Sequence, residues 1–468
     1  MAEHRLKIVV LDDDPTGSQT LHGCPLLLRW DPATLASGLR QPSPFLFLLA
    51  NTRALAPAEA AERVREICRA LKPALEAARA EGILDGALLV SRGDSTLRGH
   101  FPLEVEALAQ ELGPIDATFL VPAFLAGGRT TVDGVHRLHG QPVHETPFAR
   151  DALFSYRTSV LREWVEEKSG GRLPAAAVEL LGWRELEDAA GGALARQALT
   201  RRLAALRDNT LVVVDAERQA HLALFGALVR ELTAPPPPGS GERGRRFLFQ
   251  SAASLLKGLA PLPPQPLSPP ALAALRRRAG DRPRAGLVVV GSHVPLADDQ
   301  LARLLAQEAC EGVEVPVARV WRALEGPLPD RQLPSLEAEW TERIHAIQAG
   351  GRTPVFHTSR GELAGRRGEE RRAFGQALAS SMARVVAALA PGLGYVISKG
   401  GTTTQTLLAE GLDLRWVALR GQLLPGLSLV VVPEGRTGGL AGLPVVTFPG
   451  NLGNATTLEA AWRVMEGA

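Results

Sequence analysis

A chain of 468 residues is long for a single hydrophobic core, and its length predicts two domains of roughly 200 residues each. With 45% hydrophobic and 22% charged residues, the composition excludes an intrinsically disordered protein. The formal net charge of +2 gives no electrostatic reason to expect nucleic acid or an anionic membrane as a partner.

Short apolar runs alternate with helical patterns along the first half of the chain. The runs are continuous, as in strands buried on both faces, and they comprise Lys7–Leu11, Pro44–Ala50, Ala87–Ser91, Ala117–Val121 and Thr210–Val214. Helical spacing of apolar residues lies between them, over Pro57–Glu81, Leu103–Leu112 and Glu217–Leu232. This alternation predicts a doubly wound α/β domain with a parallel sheet over residues 1–233.

Four of these strands end in polar loops. The loops contain a run of three carboxylates, a second acidic segment and several arginines: Asp12, Asp13, Asp14; Asn51, Thr52, Arg53; Asp94, Ser95, Arg98; and Arg129, Thr130, Thr131. Adjacent carboxylates repel one another unless a cation or a hydrogen-bond donor compensates them. Arginine binds a carboxylate, and Asp and Ser bind hydroxyls, so the four loops together predict a site for a polyhydroxylated acid. Each loop alone is also compatible with an ordinary solvated turn.

Histidines are frequent in the same region, namely His22, His100, His136, His139 and His144. Their spacing does not match a metal-binding pattern, so we interpret them as polar loop residues and leave the identity of any metal ligand open.

Residues 234–245 interrupt the alternation with four prolines followed by small and charged residues, which predicts an interdomain linker. Gly239, Gly241 and Gly244 reproduce the spacing of a dinucleotide fingerprint. That fingerprint requires a strand before it and a helix after it, and a proline run precedes it here. The motif is therefore weak support for a nucleotide-dependent oxidoreductase.

A second α/β pattern occupies residues 246–468. Its predicted strands are Phe247–Gln250, Leu287–Gly291, Val313–Val317, Pro354–His357, Tyr395–Ser398, Trp416–Leu419, Leu427–Val432 and Val445–Phe448. Helices are predicted over Leu296–Gln307, Ser335–Ala349 and Ala373–Ala390. The whole chain is thus predicted as two doubly wound lobes with mainly parallel sheets and a cleft between the lobes.

Three loops of small residues follow strands in this second half. They contain Ser292; Gly400, Gly401, Thr402 and Thr403; and Gly450, Asn451 and Gly453. Glycines let the backbone approach a ligand, and backbone N–H groups at a helix start attract phosphate. The loops predict a nucleotide site without a P-loop lysine, although a capped helix start would give a similar pattern.

The sequence resembles the four-carbon acid sugar kinases over nearly its whole length. The motifs that carry the resemblance are Asp13-Asp14-Pro15-Thr16-Gly17, Asp94-Ser95-Thr96-Leu97-Arg98-Gly99, Pro122-Ala123-Phe124 with Gly128-Arg129, Gly291-Ser292, Gly400-Gly401-Thr402-Thr403 and Gly450-Asn451-Leu452-Gly453. Arg92 and His100 stand where this family has Lys and Asn, and Pro15 stands where it has Leu. These departures leave the identity of the sugar acid open.

The resemblance implies a kinase that uses ATP and Mg²⁺ to phosphorylate a four-carbon acid sugar. The substrate would lie on Asp13, Asp14, Arg53, Asp94, Ser95, Arg98 and Arg129, with Asp94 or Asp14 as the catalytic group. ATP would lie on the three small-residue loops. Closure of the two domains about the linker would exclude water.

Two alternatives stay open, a catalytically idle sugar-acid sensor and, with less support, the oxidoreductase. The expected partners are a small sugar acid and ATP, without nucleic acid or membrane, and a homodimer is compatible with the sequence. The three cysteines are far apart and no run of about 18 apolar residues occurs, so we expect a cytoplasmic protein.

Overall fold

The computed structural model describes residues 5–15, 17, 21–235, 243–260, 262–360, 368–435 and 438–467. The chain divides into two compact units. The first comprises Met1–Thr20 and Cys24–Pro264, and the second comprises Leu21–Gly23 and Gln265–Ala468. Thr16, Gly239 and Gly241 of the predicted motifs lie outside the described residues.

The first unit contains a sheet in which every described neighbouring pair is parallel. Its order is β2-β3-β1-β4-β11-β5-β10-β9. Strands β6, β7 and β8 form a separate antiparallel sheet. The strands of the unit are β1 Leu6–Asp12, β2 Cys24–Leu27, β3 Phe45–Leu49, β4 Gly86–Arg92, β5 Ala117–Val121, β6 Arg129–Val132, β7 Val135–Leu138, β8 Gln141–Pro142, β9 Glu179–Leu181, β10 Thr210–Val214 and β11 Phe247–Ser251. Because these strands run in one direction, their carboxyl ends share one edge.

The helices of the first unit pack apolar stripes onto this sheet. They are α1 Pro32–Arg40, α2 Pro57–Ala80, α3 Leu103–Leu112, α4 Leu161–Lys168, α5 Trp183–Gly191, α6 Ala193–Ala205, α7 Gln219–Thr233 and α8 Ala253–Leu259. In α2 the buried residues recur at helical spacing, as in Val64, Ile67, Cys68 and Leu71, and Pro57 occupies the first turn, where its missing N–H costs nothing. The three helices predicted for this half lie within one to two residues of α2, α3 and α7.

The boundary predicted between the two domains is wrong by one strand. Residues 247–250 were assigned to the second domain, but β11 lies between β4 and β5 and completes the first sheet. The chain therefore returns to the first unit after residues 234–245, and that unit ends at Pro264. The proline-rich composition identified a break between elements, and it contained no information about which sheet the next strand joins.

The second unit contains a mixed sheet with the order β15-β16-β14-β17-β20-β19-β18. Pairs from β15 to β20 are parallel, whereas β19 is antiparallel to both β20 and β18. The strands of the unit are β12 Arg278–Ala279, β13 Arg282–Pro283, β14 Gly286–Val290, β15 Cys310–Val315, β16 Thr353–Thr358, β17 Tyr395–Lys399, β18 Trp416–Leu424, β19 Leu427–Val431 and β20 Pro444–Phe448.

The helices of the second unit are α9 Pro269–Ala273, α10 Pro295–Leu305, α11 Val317–Glu325, α12 Pro329–Ala349, α13 Gly368–Leu389, α14 Gly401–Thr406 and α15 Thr457–Glu466. Val317, predicted as the end of a strand, begins α11, since Pro316 ends the strand. The mainly parallel α/β architecture predicted for both halves is confirmed.

One helix among the described residues, Glu370–Gly392, is long and apolar enough to cross a membrane by length and composition. Of its most apolar stretch, 56% is buried inside the protein, as is usual for a helix of a protein core, so it is weak evidence for a membrane span.

Candidate functional site

The carboxylates of Asp13 and Asp14 at the end of β1 are compensated by Arg53, which follows β3. Arg53 donates from Nε to Asp13 Oδ2 at 2.8 Å and from Nη2 to Asp13 Oδ1 at 2.5 Å. Its third contact is with Asp14 Oδ2 at 3.4 Å. A bidentate guanidinium–carboxylate pair is the strongest such arrangement, and it offsets the cost of burying Asp13.

Arg92, the last residue of β4, is the second cation of this cluster. Its Nη1 lies 3.6 Å from both Asp12 Oδ1 and Asp13 Oδ1. Burial raises the pKa of Asp12 to about 7, and its Oδ2 has no hydrogen-bond partner among the described residues. Gly17 packs against the same carboxylate, since a Cβ there would lie 2.0 Å from Asp12 Oδ1. Asp12 was not among the predicted substrate residues, although its position at the strand end was a visible signal.

Asp94 is the centre of the loop after β4. Its Oδ2 accepts hydrogen bonds from Thr96 Oγ1 and, at 2.7 Å, from Arg98 Nε. Although burial alone would raise the pKa of Asp94, the charges of Arg53 and Arg98 and these hydrogen bonds hold it well below its usual range. Asp94 therefore stays ionised and accepts hydrogen bonds.

Two side chains from other parts of the first unit form hydrogen bonds with the backbone of this loop. The carbonyl of Ser95 accepts from His136 Nε2 at 2.8 Å, and the carbonyl of Thr96 accepts from the Tyr156 hydroxyl at 2.7 Å. Leu97 adopts φ 64°, in the left-handed region that a leucine rarely occupies. The strained conformation is consistent with a loop whose shape is set by function.

Arg129, the first residue of β6, is the third arginine of the predicted substrate site. It donates from Nη1 to Gly127 O at 2.6 Å and its guanidinium lies 5.7 Å from the centre of the Phe124 ring. Burial lowers its pKa, and the charges of Asp94 and Arg98 act on it. Its Nε has no partner among the described residues. The structure thus brings together Asp13, Asp14, Arg53, Asp94, Ser95, Arg98 and Arg129 at one sheet edge of the first unit.

Two histidines of this region, His136 and His100, contact protein oxygens. His136 is buried, with a pKa lowered by burial to about 4, and its Nδ1 lies 2.9 Å from Thr131 Oγ1. His100 Nε2 lies 3.1 Å from the carbonyls of Thr52 and Leu55. Among the described residues, no three His, Cys, Asp or Glu side chains are placed to hold a metal ion.

The three predicted small-residue loops of the second unit follow β14, β17 and β20, which are neighbours in the sheet. They are in contact around Ser292. A Cβ on Gly400 would lie 3.3 Å from Ser292 N, and one on Gly450 would lie 2.8 Å from Ser292 Oγ. Gly400 also has φ 119°. These glycines permit a close approach of three backbone segments that side chains would prevent.

The remaining residues of the predicted nucleotide site lie on the same loops. Thr403 packs against Gly291, where a Cβ would lie 2.1 Å from Thr403 Oγ1. Thr402 and Asn451 are exposed, and Gly401 is partly exposed, so they are free of the core. The last loop is fixed from α10, because Gln300 Nε2 donates to Leu452 O at 3.1 Å and to Asn454 O at 2.6 Å.

Lys399, the last residue of β17, belongs to this site but was not among its predicted residues. Its Nζ is buried and donates to Pro449 O at 3.1 Å and Gly450 O at 3.2 Å. The amine also lies 4.0 Å from the centre of the Phe448 ring, and burial lowers its pKa to about 7. Lys399 therefore binds the third loop to the second. Its position directly before Gly400 was the available signal.

Comparison with known proteins agrees with this division of the chain. A sugar-binding N-terminal domain family matches residues 8–259, and a nucleotide-binding C-terminal domain family matches residues 287–458. The chain thus combines one domain of the sugar-binding family with one domain of the nucleotide-binding family. The chain belongs to the four-carbon acid sugar kinase family. The resemblance seen in the sequence motifs is confirmed.

Named relatives share about a third of their residues or fewer with this chain. A D-threonate kinase from Bordetella bronchiseptica is 29% identical over 419 residues, covering 89% of this chain and 85% of the relative. A D-threonate kinase from Cupriavidus necator is 28% identical over 433 residues, with 89% and 86% covered. A D-erythronate kinase from Heliobacterium modesticaldum is 34% identical over 134 residues, with 27% and 28% covered.

Solved structures share the fold. A protein from Salmonella typhimurium LT2 superimposes with a TM-score of 0.65 at 18% identity, covering 98% of this chain and 99% of the other. Haemophilus influenzae protein HI1011 gives a TM-score of 0.59 at 15% identity, with 97% and 99% covered. At these identities the likeness supports the α/β fold and does not extend to activity.

Proposed function

We propose that this protein is an ATP-dependent kinase that phosphorylates a hydroxyl group of a small, four-carbon acid sugar. The observation that carries the proposal is the pairing, within one chain of this family, of a buried acidic and arginine-rich cluster on the first unit with a glycine-lined cluster around Ser292 on the second. The relatives named D-threonate and D-erythronate kinase support the same substrate class.

In the first unit, some arginines pair with carboxylates of the protein and another has a donor left for a ligand. Arg53 is engaged by Asp13, and Arg98 by Asp94, whereas Arg129 keeps its Nε unpartnered among the described residues. We therefore assign the substrate carboxylate to Arg129, with Arg98 beside it. Asp94 would accept hydrogen bonds from the hydroxyls of the sugar acid, and Ser95 would donate a hydrogen bond to one of them.

The two predicted catalytic carboxylates would have different roles. The pKa of Asp94 lies well below its usual range, so it is a poor proton carrier and a good group for orienting a hydroxyl. Asp14 is only partly buried, with 22% of its side chain exposed, and its Oδ2 lies 3.4 Å from Arg53 Nη1. We assign proton removal from the attacking hydroxyl to Asp14.

In the second unit, the loops containing Ser292, Gly400 and Gly450 would hold the phosphates of ATP through backbone N–H groups, and Thr402, Thr403, Asn451 and Gly453 would extend that surface. Mg²⁺ bound with the nucleotide would supply further positive charge. Phosphoryl transfer depends mainly on alignment and on neutralising the charge of the phosphates.

The sequence also supports expectations about the compartment, the partners and the oligomeric state of the protein. We propose that the protein works in the cytoplasm, with ATP and a sugar acid as its partners and without nucleic acid or membrane. A homodimer is a further expectation, and sedimentation of the purified chain measures it.

An ADP-release assay over the isomers of four-carbon sugar acids tests the proposal. Purified protein is mixed with ATP, Mg²⁺ and each acid, and the product is identified by mass spectrometry and phosphorus NMR. One or more acids should yield a phosphorylated product in amounts equal to the ADP released. Binding of an acid without product would identify a sensor instead, and hydride exchange with a nicotinamide cofactor would identify an oxidoreductase.

A further inference from the structure

Arg360 lies beside the nucleotide loops and belongs to none of the motifs described so far. Arg360 follows β16, which is the neighbour of β14 in the second sheet. Because both strands run in the same direction, Arg360 reaches the loop after β14, and its Nη1 donates to the carbonyl of Ser292. That carbonyl belongs to the residue around which all three glycine loops meet.

The charge of Arg360 acts on other groups of the same cluster. It contributes, after burial, to the lowered pKa of Lys399, and likewise to the lowered pKa of His293. His293 Nε2 in turn lies 3.1 Å from Thr358 Oγ1 at the end of β16, so two contacts join the loop after β14 to the end of β16. Arg360 therefore lies within electrostatic range of the Gly400 and Gly450 loops.

The guanidinium of Arg360 is only partly used by the protein. Its Nη1 lies 3.3 Å from Asp298 Oδ1, but the Asp298 side chain is 46% exposed, so water screens that charge, and the charge of Glu314 acts on the guanidinium as well. Nε and Nη2 are buried and have no hydrogen-bond partner among the described residues. Buried guanidinium donors without partners are costly, and a phosphate group satisfies them in a planar, bidentate geometry.

Lys399, another cation of the cluster, is less suited to this task. Its amine is bound by the carbonyls of Pro449 and Gly450 and covered by Phe448. A pKa lowered to about 7 leaves it partly neutral at neutral pH, whereas a guanidinium stays protonated.

Resting on the proposed function, we infer that Arg360 is the phosphate-binding arginine of the nucleotide site, and that its free donors bind the outer phosphates of ATP. It would neutralise charge that a lysine neutralises in P-loop enzymes. The adenosine part of the nucleotide would not depend on it.

The test is calorimetric binding of ATP, ADP and adenosine to the full-length protein and to three variants. Arg360→Gln should weaken ATP binding by about tenfold to a hundredfold, the range expected for lost charge-assisted hydrogen bonds, and leave adenosine binding within about twofold. The ATP affinity of Arg360→Lys should lie between those of the parent protein and Arg360→Gln, since lysine keeps the charge but lacks the planar, bidentate donor geometry. Asp298→Asn removes only the acidic neighbour and should bind ATP as well as, or better than, the parent protein.

Other outcomes overturn the inference in distinguishable ways. If the parent protein binds ATP and releases ADP but Arg360→Gln does so equally well, Arg360 binds no phosphate and the proposed function stands. If Arg360→Gln and Asp298→Asn both weaken ATP and adenosine alike, Arg360 only braces the Ser292 loop. If the parent protein binds neither ATP nor ADP, the proposed function fails and this inference fails with it.

Discussion

Removal of Arg53 is the perturbation for which the structure gives the most detailed expectation. The guanidinium makes two hydrogen bonds to Asp13, of 2.8 and 2.5 Å, and a longer one to Asp14. Asp13 is 3% exposed, so its carboxylate would be left in the interior with only Arg92 Nη1 nearby, at 3.6 Å. Breaking a buried ion pair from one side costs about 3–5 kcal/mol, and Arg53→Gln should lower the free energy of unfolding by that order at pH 8.

The pH dependence of this loss identifies its cause. Burial already raises the pKa of Asp13, and the loss of Arg53 removes the largest opposing charge, so the pKa rises further. A carboxyl with a raised folded-state pKa binds its proton more tightly when folded, so its contribution to stability is present at low pH and lost as pH rises through the folded pKa. The deficit of Arg53→Gln should therefore shrink between pH 8 and pH 5.

Urea denaturation at the two pH values measures the deficit. Arg69→Gln is a matched control, because Arg69 pairs with Glu62 at 3.0 Å with both side chains more than half exposed, and its loss should cost less than about 1 kcal/mol. The double variant Asp13→Asn with Arg53→Gln should recover part of the stability, since the Asp13 carboxylate is no longer left buried without its partner. A pH-independent loss, or a loss equal to that of Arg69→Gln, would refute the reasoning.

Three further changes test other parts of the structure. Asp94→Asn should lower kcat/KM by about 10²-fold with the circular dichroism spectrum unchanged, because the substrate hydroxyl loses the group that orients it; an unaltered value in steady-state assays would remove this residue from the mechanism. Gly291→Ala would place a Cβ 2.1 Å from Thr403 Oγ1 and should weaken ATP binding measured by calorimetry, whereas Gly375→Ala in α13 meets nothing within 4 Å and should be neutral or slightly stabilising. Burial raises the pKa of Asp12 from its ordinary value of 3.8 to about 7, so stability should fall from about pH 4 to pH 7 relative to Asp12→Asn. If stability depended on pH equally in the two proteins, the raised pKa would be contradicted.

Periodicity and turn chemistry predicted the long, strongly patterned elements of this fold. Strands such as β1 and β14 are continuous apolar runs, so the residues themselves identify them. Short or partly exposed elements were missed: β9 has three residues, and α6 carries exposed charges and a weak apolar stripe. Which sheet β11 joins is decided by contacts with β4 and β5 across some 130 to 160 residues of chain, and no local pattern encodes such contacts.

The candidate sites, like the fold, were predicted only in part. Residue types at strand ends predicted which loops carry chemistry, because parallel strands share an edge. The partners of each side chain were not predictable, since Arg53 could have bound a ligand and instead binds Asp13. Lys399 and Arg360 were missed because their roles depend on carbonyl groups of loops that lie about 50 and 70 residues away.

The ion cluster of the first unit is better explained by ligand binding than by folding. Buried ion pairs add little net stability, and apolar residues of similar volume would serve a core as well or better. Yet Asp12, Asp13, Arg53, Arg92 and Asp94 stand together at a single sheet edge, with Asp12 Oδ2 and Arg92 Nε unpartnered among the described residues. A sugar acid carries both a carboxylate and several hydroxyls, so it could satisfy an unpaired donor and an unpaired acceptor at the same time. The stability lost in burying these charges is thus consistent with a site organised before its substrate arrives.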